Sequence, residues 1–290
     1  MAGIRELRGR ITSVGNIKQI TRAMEMVATT KLRRFQDRAT ASRPYAEEIT
    51  GLMQHLASVL GAEVEKRPLF REGEGDVTCV LVVSSDRGLC GAYNSNLLRA
   101  LENWRAENPG PKKFWVYGRK AYQYMSRRDF EIEHYFAEPS LEQIDYRGAA
   151  RVAKHLTDAF LSGEAKDVKV FYTAFESMVR YVPTSIDFLP VPTDGGSGEE
   201  DASTGGDVIL EPNAETIFDQ LVPRYLETRV YNALIEALTA EDASRRVSMK
   251  NATDAAGDMQ DMLKGQYNRL RQETITKELL DIVGGAEALR

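Results

Sequence analysis

The segment of this chain best placed to do chemistry is Ser84-Ser85-Asp86-Arg87-Gly88-Leu89-Cys90-Gly91. It leaves a β-branched apolar run and enters a helix-compatible stretch. Glycines at such a junction can bring backbone N–H groups up to a phosphate. They serve equally well in a tight strand-to-helix turn that needs backbone freedom. No GxxxxGK[ST] loop and no GxGxxG accompanies it, so the plain turn is the preferred reading. Cys90 near Asp86 and Arg87 has the look of a nucleophile, but no histidine lies close in sequence. A small buried hydrophobe fits it better. His55, His134 and His155 are scattered and share no ligand spacing. Neither Cys79 nor Cys90 lies in a CxxC pair, so the chain is no disulfide scaffold and suits a reducing compartment. Asn251-Ala252-Thr253 matches a glycosylation acceptor, but nothing else suggests secretion and the match is read as chance. No catalytic residue, cofactor site or metal site is expected.

The elements around that segment explain more than its chemistry does. Residues 1–43 and 224–290 contain no proline. An ordinary helix runs about 11–12 residues, so both stretches read as long coiled-coil helices. The first carries Ile4, Leu7, Ile11, Val14, Ile17, Ile20, Met24 and Val27. That is heptad spacing with a three-residue slip between Val14 and Ile17, which would overwind a coiled coil locally. Helical character is expected to continue past Pro44 to Leu60, with a bend at the proline.

Between the two helices the period changes. Val77–Ser84 reads as a buried parallel strand. A helix over 91–108, a strand over 113–117, a short helix over 119–128 and a strand over 132–136 follow. Ser140 and Gln143 have capping-box spacing ahead of a helix reaching about Ser162. Strands over 168–174 and 182–189 close the pattern. Their connection is too short for a crossover, so this pair should be antiparallel. The fold class is α/β: a central Rossmann-like domain plus an antiparallel coiled coil of the terminal helices. The expected division is 1–60 as N-terminal helix, 75–192 as α/β domain, 193–210 as acidic flexible linker and 211–290 as C-terminal helix. Pro212 suits the start of the last helix. Ala240–Ala256 is thin in large apolar groups and should pack loosely or set small residues against a partner.

Charge is unevenly spread. Residues 1–43 hold ten Lys/Arg and three acids, a net +7 within a chain of net −5, so the remainder carries −12. An acidic protein partner accounts for this best. Nucleic acid is a weaker reading, because Phe35 is the only aromatic residue among those charges. No uncharged run is long enough to span a bilayer, and Arg5, Arg8 and Arg10 interrupt any leader-like apolar stretch.

Four blocks carry a family resemblance. They are Ile11–Val14 continuing through Ile17–Ala28; Ser85–Gly91; Ser248-Met249-Lys250-Asn251-Ala252-Thr253-Asp254-Ala255; and Gln266–Arg269 with Arg271-Gln272 and Ile275–Ala286. In this order, across nearly the whole chain, they resemble the gamma subunit of bacterial F-type ATP synthases. The resemblance implies a shaft of two helices inside a ring of three alpha and three catalytic beta subunits, one copy per complex. The α/β domain would be a foot standing with the epsilon subunit on the membrane rotor ring, at the cytoplasmic face of the inner membrane. Such a subunit does no covalent chemistry, binds no nucleic acid and does not insert into the membrane. About 50 helical residues would span on the order of 75 Å, enough to cross a protein ring. The apolar tip (Leu279, Leu280, Ile282, Val283, Ala286 and Leu289) suits a greasy sleeve. Arg8, Arg10, Lys18, Arg33 and Arg34 are the expected polar contacts with the ring. Leu279, Ile282, Val283 and Leu289 are the expected apolar ones. The regulatory dithiol of plant plastid relatives is absent. The rival readings are a nucleotide-binding enzyme with helical arms and a coiled-coil binder of nucleic acid or membrane surface.

Overall fold

The computed structural model describes residues 3–192 and 213–287. The elements are α1 (Ile4–Leu60), β1 (Val77–Val83), α2 (Tyr93–Glu107), β2 (Lys112–Tyr117), α3 (Arg119–Met125), β3 (Ile132–Phe136), α4 (Tyr146–Leu161), β4 (Ala165–Phe175), β5 (Tyr181–Leu189) and α5 (Ala214–Glu287). They fall into two units. Residues 30–244 form one, and residues 1–29 with 245–290 form the other. The division cuts both long helices, so 30–60 and 214–244 belong to the unit that holds the sheet.

In the larger unit the strand order is β3-β2-β1-β4-β5. β1 pairs parallel with both β2 and β4, and β2 pairs parallel with β3. β4 and β5 are antiparallel, as their short connection requires. This is a Rossmann-like order, with its switch point between β1 and β4. β1 has an apolar residue at nearly every position because both its faces are covered. Cys79, Leu81 and Val83 face a core built with Leu56 of α1, Leu156 and Phe160 of α4, and Phe218 and Leu234 of α5. Val80 and Val82 face the other way, onto Leu97 and Leu101 of α2 and Met125 of α3. Each fully buried leucine or phenylalanine contributes about 1.5–3 kcal/mol, so the middle strand is held from two sides.

One helix start differs from expectation. Ser140 makes no cap and opens only a short 3₁₀ turn, Leu141–Gln143. The cap of α4 is Asp145, whose Oδ1 accepts from Gly148 N at 2.7 Å. Ser/Thr-x-x-Gln spacing also fits a single turn, so it located an end without naming the right residue. Pro212 lies outside the described residues. Asn213 begins α5, with Oδ1 accepting from Thr216 N at 2.8 Å. α1 passes through Pro44 as one helix. The carbonyl that Pro44 leaves unpaired belongs to exposed Thr40, where water can reach it.

In the smaller unit the positions of α1 that are not exposed are Ile4, Leu7, Ile11, Val14, Gly15, Lys18, Thr21, Met24, Glu25 and Ala28. With Gly15 and Met24 flanking the stripe, the other gaps alternate three and four, the heptad rule. The slip expected at Val14–Ile17 is therefore not in the packing. Ile17, Ile20 and Val27 point outward, 52%, 59% and 54% exposed. The seam continues instead through polar and small residues. Thr253 Oγ1 donates to Thr21 Oγ1 at 2.8 Å, and Thr21 donates on to the Lys18 carbonyl at 3.1 Å. A Cβ on Gly257 would lie 3.0 Å from Lys18 Nζ, and one on Gly15 would lie 2.9 Å from Gln260 Nε2. These glycines are notches that admit long polar side chains. The pairs 15/260, 18/257 and 21/253 run in opposite directions, so the two helices are antiparallel.

Candidate functional site

The turn after β1 lies at the carboxyl end of the sheet, at the switch point where Rossmann-like folds usually open a ligand crevice. Here the chain's own groups close it. Asn94 Oδ1 accepts from Ser85 N at 3.2 Å, and Ser85 Oγ donates to Arg87 O at 2.7 Å. Asp86 spreads its carboxylate over two backbone donors, Arg119 N at 3.1 Å and Leu141 N at 3.2 Å. Leu89 and Gly91 take positive φ, 61° and 56°. Glycine adopts that conformation freely, whereas for leucine it is strained.

The crevice itself is filled by α5. Ser244 Oγ donates to Cys90 O at 2.6 Å, and Tyr93 Oη donates to Ala237 O at 3.1 Å. Ala240 packs on Cys90 and Tyr93, with Phe175 from the end of β4 alongside. Ala237, Ala240, Ala243 and Ser244 are all buried. Of the stretch expected to pack loosely or to set small residues against a partner, 240–244 is buried throughout, because small side chains let a helix approach a backbone turn closely, while 245–256 is buried only at Met249, Thr253 and Ala256. The turn works as a structural junction.

The two cysteines are buried. Burial pushes the Cys79 thiol up to about 12, which keeps it protonated and unreactive. Cys90 Sγ accepts from Asn94 Nδ2 at 3.2 Å. His134 and His155 stack with centroids 5.2 Å apart. Burial and the neighbouring His155 hold His134 below the usual histidine range. Among the described residues no group of three or more His, Cys, Asp or Glu side chains is placed to hold a metal ion.

A cavity of about 730 Å³ lies between α1 and α5 within the larger unit, lined in part by Gln36, Arg43, Asn232, Glu236 and Thr239. Burial raises the Glu236 carboxyl, partly offset by a hydrogen bond with Tyr172 and by Arg43. A carboxyl whose folded pKa lies above its unfolded one supports folding only while protonated. That support is lost as pH rises through the folded value. Glu236→Gln should therefore melt higher than the parent chain at about pH 8, with the difference shrinking toward zero near about pH 4. Thermal melts across that range check it.

The residues expected to contact a ring are placed as follows. Arg8 and Arg10 are exposed on the smaller unit, and Arg10 pairs with Glu6 at 2.8 Å. Lys18 is half-buried in the seam. Arg33 is exposed, while Arg34 lies 3.8 Å from Glu142. Leu279, Ile282 and Val283 are 58%, 68% and 60% exposed. Leu289 lies outside the described residues. Glu142 escaped the sequence reading. Its carboxylate also meets Lys31 Nζ at 2.7 Å and feels Arg87. Lys31 and Glu142 are 111 residues apart, so no local spacing could signal the pair.

The sequence matches the family described as ATP synthase over residues 3–289. It is 42% identical to the ATP synthase gamma chain of Mycolicibacterium vanbaalenii, covering 99% of this chain and 98% of that one. To the ATP synthase gamma chain of Legionella pneumophila it is 38% identical, with both chains fully covered. Among solved structures, a chain of the Euglena gracilis mitochondrial ATP synthase superposes with a TM-score of 0.68 at 20% identity, covering 99% of this chain and 94% of that one. A chain of the Tetrahymena thermophila central stalk and c-ring superposes with a TM-score of 0.60 at 23% identity, covering 80% and 99%. With identity well above 30% along its whole length and a fold shared with central-stalk chains, this chain belongs to the ATP synthase gamma chain family.

Proposed function

We propose that this chain is the central rotor shaft of an F-type ATP synthase and performs no covalent step itself. The observation that carries this reading is the full-length match to bacterial gamma chains. A switch-point crevice filled by the chain's own α5 supports the noncatalytic role. The antiparallel helix pair of the smaller unit would stand inside a ring of three alpha and three beta subunits. The α/β unit would meet the epsilon subunit and the membrane rotor ring, one copy per complex, on the cytoplasmic face of the inner membrane. Ion-driven turning of that ring would carry the shaft round, and its asymmetry would force the beta sites through successive conformations.

Two kinds of surface suit this work. Leu279, Ile282, Val283 and Leu289 would run in an apolar sleeve, which offers few directional bonds and so little resistance to rotation. Arg8, Arg10, Lys18, Arg33 and Arg34 would make orientation-dependent polar contacts with acidic beta-subunit surfaces. No helix among the described residues is long and apolar enough to cross a membrane.

The test is reconstitution with the alpha and beta subunits of the same organism, with a bead fixed to the α/β unit. The expected result is one copy per hexamer and directional rotation during ATP hydrolysis. Failure to assemble, joined with tight nucleotide binding or salt-sensitive DNA binding by the chain alone, would overturn the reading.

A further inference from the structure

Two segments hold the long helices near the sequence limits of the larger unit: the Ser84–Tyr93 turn meets α5 up to Ser244, and the 141–144 segment meets α1 from Lys31 on. On α5 the contacts fall at Ala237, Ala240 and Ser244, spaced three and four and hence on one face. Two of the three are directional, the Tyr93 bond to Ala237 O at 3.1 Å and the Ser244 bond to Cys90 O at 2.6 Å. Between them the fully buried Ala240 packs on Cys90 and Tyr93. On α1 the contacts fall at Lys31 and Arg34, both on Glu142, and at Arg38, which donates to Ile144 O at 2.5 Å. Glu142 is itself placed by the turn, since Asp86 holds the neighbouring Leu141 N. Two segments tied to each other through Asp86 thus reach the two helices by polar bonds that specify direction. Apolar packing alone lets a helix adjust by small rotations, whereas a bonded hydroxyl or carboxylate resists them.

We propose that this turn, with Glu142 beside it, is a torsional clamp that fixes the azimuth of α1 and α5 on the α/β sheet. The idea rests on the rotor reading: torque entering at the α/β unit must leave through these two helices, and any slack here would be lost to twisting. Ser244, Tyr93, Glu142 and Asp86 are then positioning residues, acting through the helices on distant partner contacts.

The experiment uses the assembled complex with the bead on the α/β unit, held without nucleotide, and reads the angular spread of the bead. Ser244→Ala with Glu142→Ala is expected to widen the angular variance by about twofold or more, because the Ser244 bond to Cys90 O and the Glu142 bonds to α1 are gone. Tyr124→Phe is the control. It removes a hydrogen bond to Glu102 at 2.8 Å that touches neither long helix, so it should leave the variance at the parent value. An unchanged variance in the double variant overturns the clamp. So does an equal widening in the control, which would mark a general loss of stability. If the double variant does not fold, Tyr93→Phe removes one hydroxyl and is judged by the same criterion. If the parent chain itself does not assemble or rotate, the rotor reading fails separately. The clamp is then judged in the free full-length chain from spin-label distances between Asp37 and Lys154. A broader distribution in the double variant supports it, and equal widths overturn it.

Discussion

Gly118→Ala should cripple folding of the α/β unit. Gly118 follows β2 with φ at 104°, a conformation that strains any L side chain. An added Cβ would also fall 2.0 Å from the Ser84 carbonyl oxygen and 2.6 Å from Ser84 Oγ. Neither atom can yield cheaply. Ser84 N is bonded to Tyr117 O at 2.8 Å, and Ser84 Oγ accepts from Ala121 N at 2.8 Å. Backbone strain of this kind costs about 1–3 kcal/mol, and the overlap adds an overpacking penalty of about 1–3 kcal/mol. At about 2–4 °C of melting temperature per kcal/mol for a unit of this size, the variant should melt about 5–20 °C lower. Thermal unfolding followed by circular dichroism checks it. A loss under about 2 °C would mean that the β1 and β2 ends part more easily than their bonds indicate.

Reversing Arg33 and Arg34 to glutamate should cut coupled ATP synthesis by on the order of tenfold, since like charges across an interface cost several kcal/mol. Both lie on the basic first helix, and Arg33 is exposed. Arg34→Glu would also place a second carboxylate beside Glu142, which now lies 3.8 Å from the Arg34 guanidinium. Surface pairs contribute little to stability, typically about 0–1 kcal/mol, so the melting temperature should barely move while synthesis falls. Arg33→Glu alone leaves the Glu142 cluster intact and isolates the external contact. ATP synthesis in membrane vesicles, compared with hydrolysis by the same complexes, is the measurement. Unchanged synthesis in both variants would remove these positions from torque transfer.

The parts of the fold legible in the sequence were those where one local rule acts alone. The Val77–Val83 strand is apolar on both faces because it is central, and the antiparallel β4–β5 pair follows from connection length. Past Val14 the apolar residues are a poor guide to the N-terminal seam. Ile17 and Ile20 are apolar yet exposed, while Lys18 and Thr21 turn inward. What admits Lys18 is Gly257, and what pairs Thr21 is Thr253, residues more than 230 positions away in the chain. The junction turn was legible as a turn, but its grip on α5 was not. Ala240 and Ser244 looked featureless because a close approach selects for small side chains, which carry little periodic signal. Glu142 was invisible for a related reason: an acid becomes part of a site only when the fold brings cations to it.

The polar seam also bears on how the chain is made. Thr21 emerges from the ribosome 232 residues before Thr253. At about 5–20 residues per second, the first helix waits on the order of 10–50 s for its mate. A seam of leucines would spend that interval seeking any apolar surface, including the same helix on a neighbouring nascent chain. Lys18 and Thr21 weaken such pairings, because an unmatched apolar surface strips water from the Lys18 ammonium and the Thr21 hydroxyl without offering the glycine notch and the hydroxyl of the true mate. The same residues that lower the strength of the finished pair keep its first half single until the second half arrives.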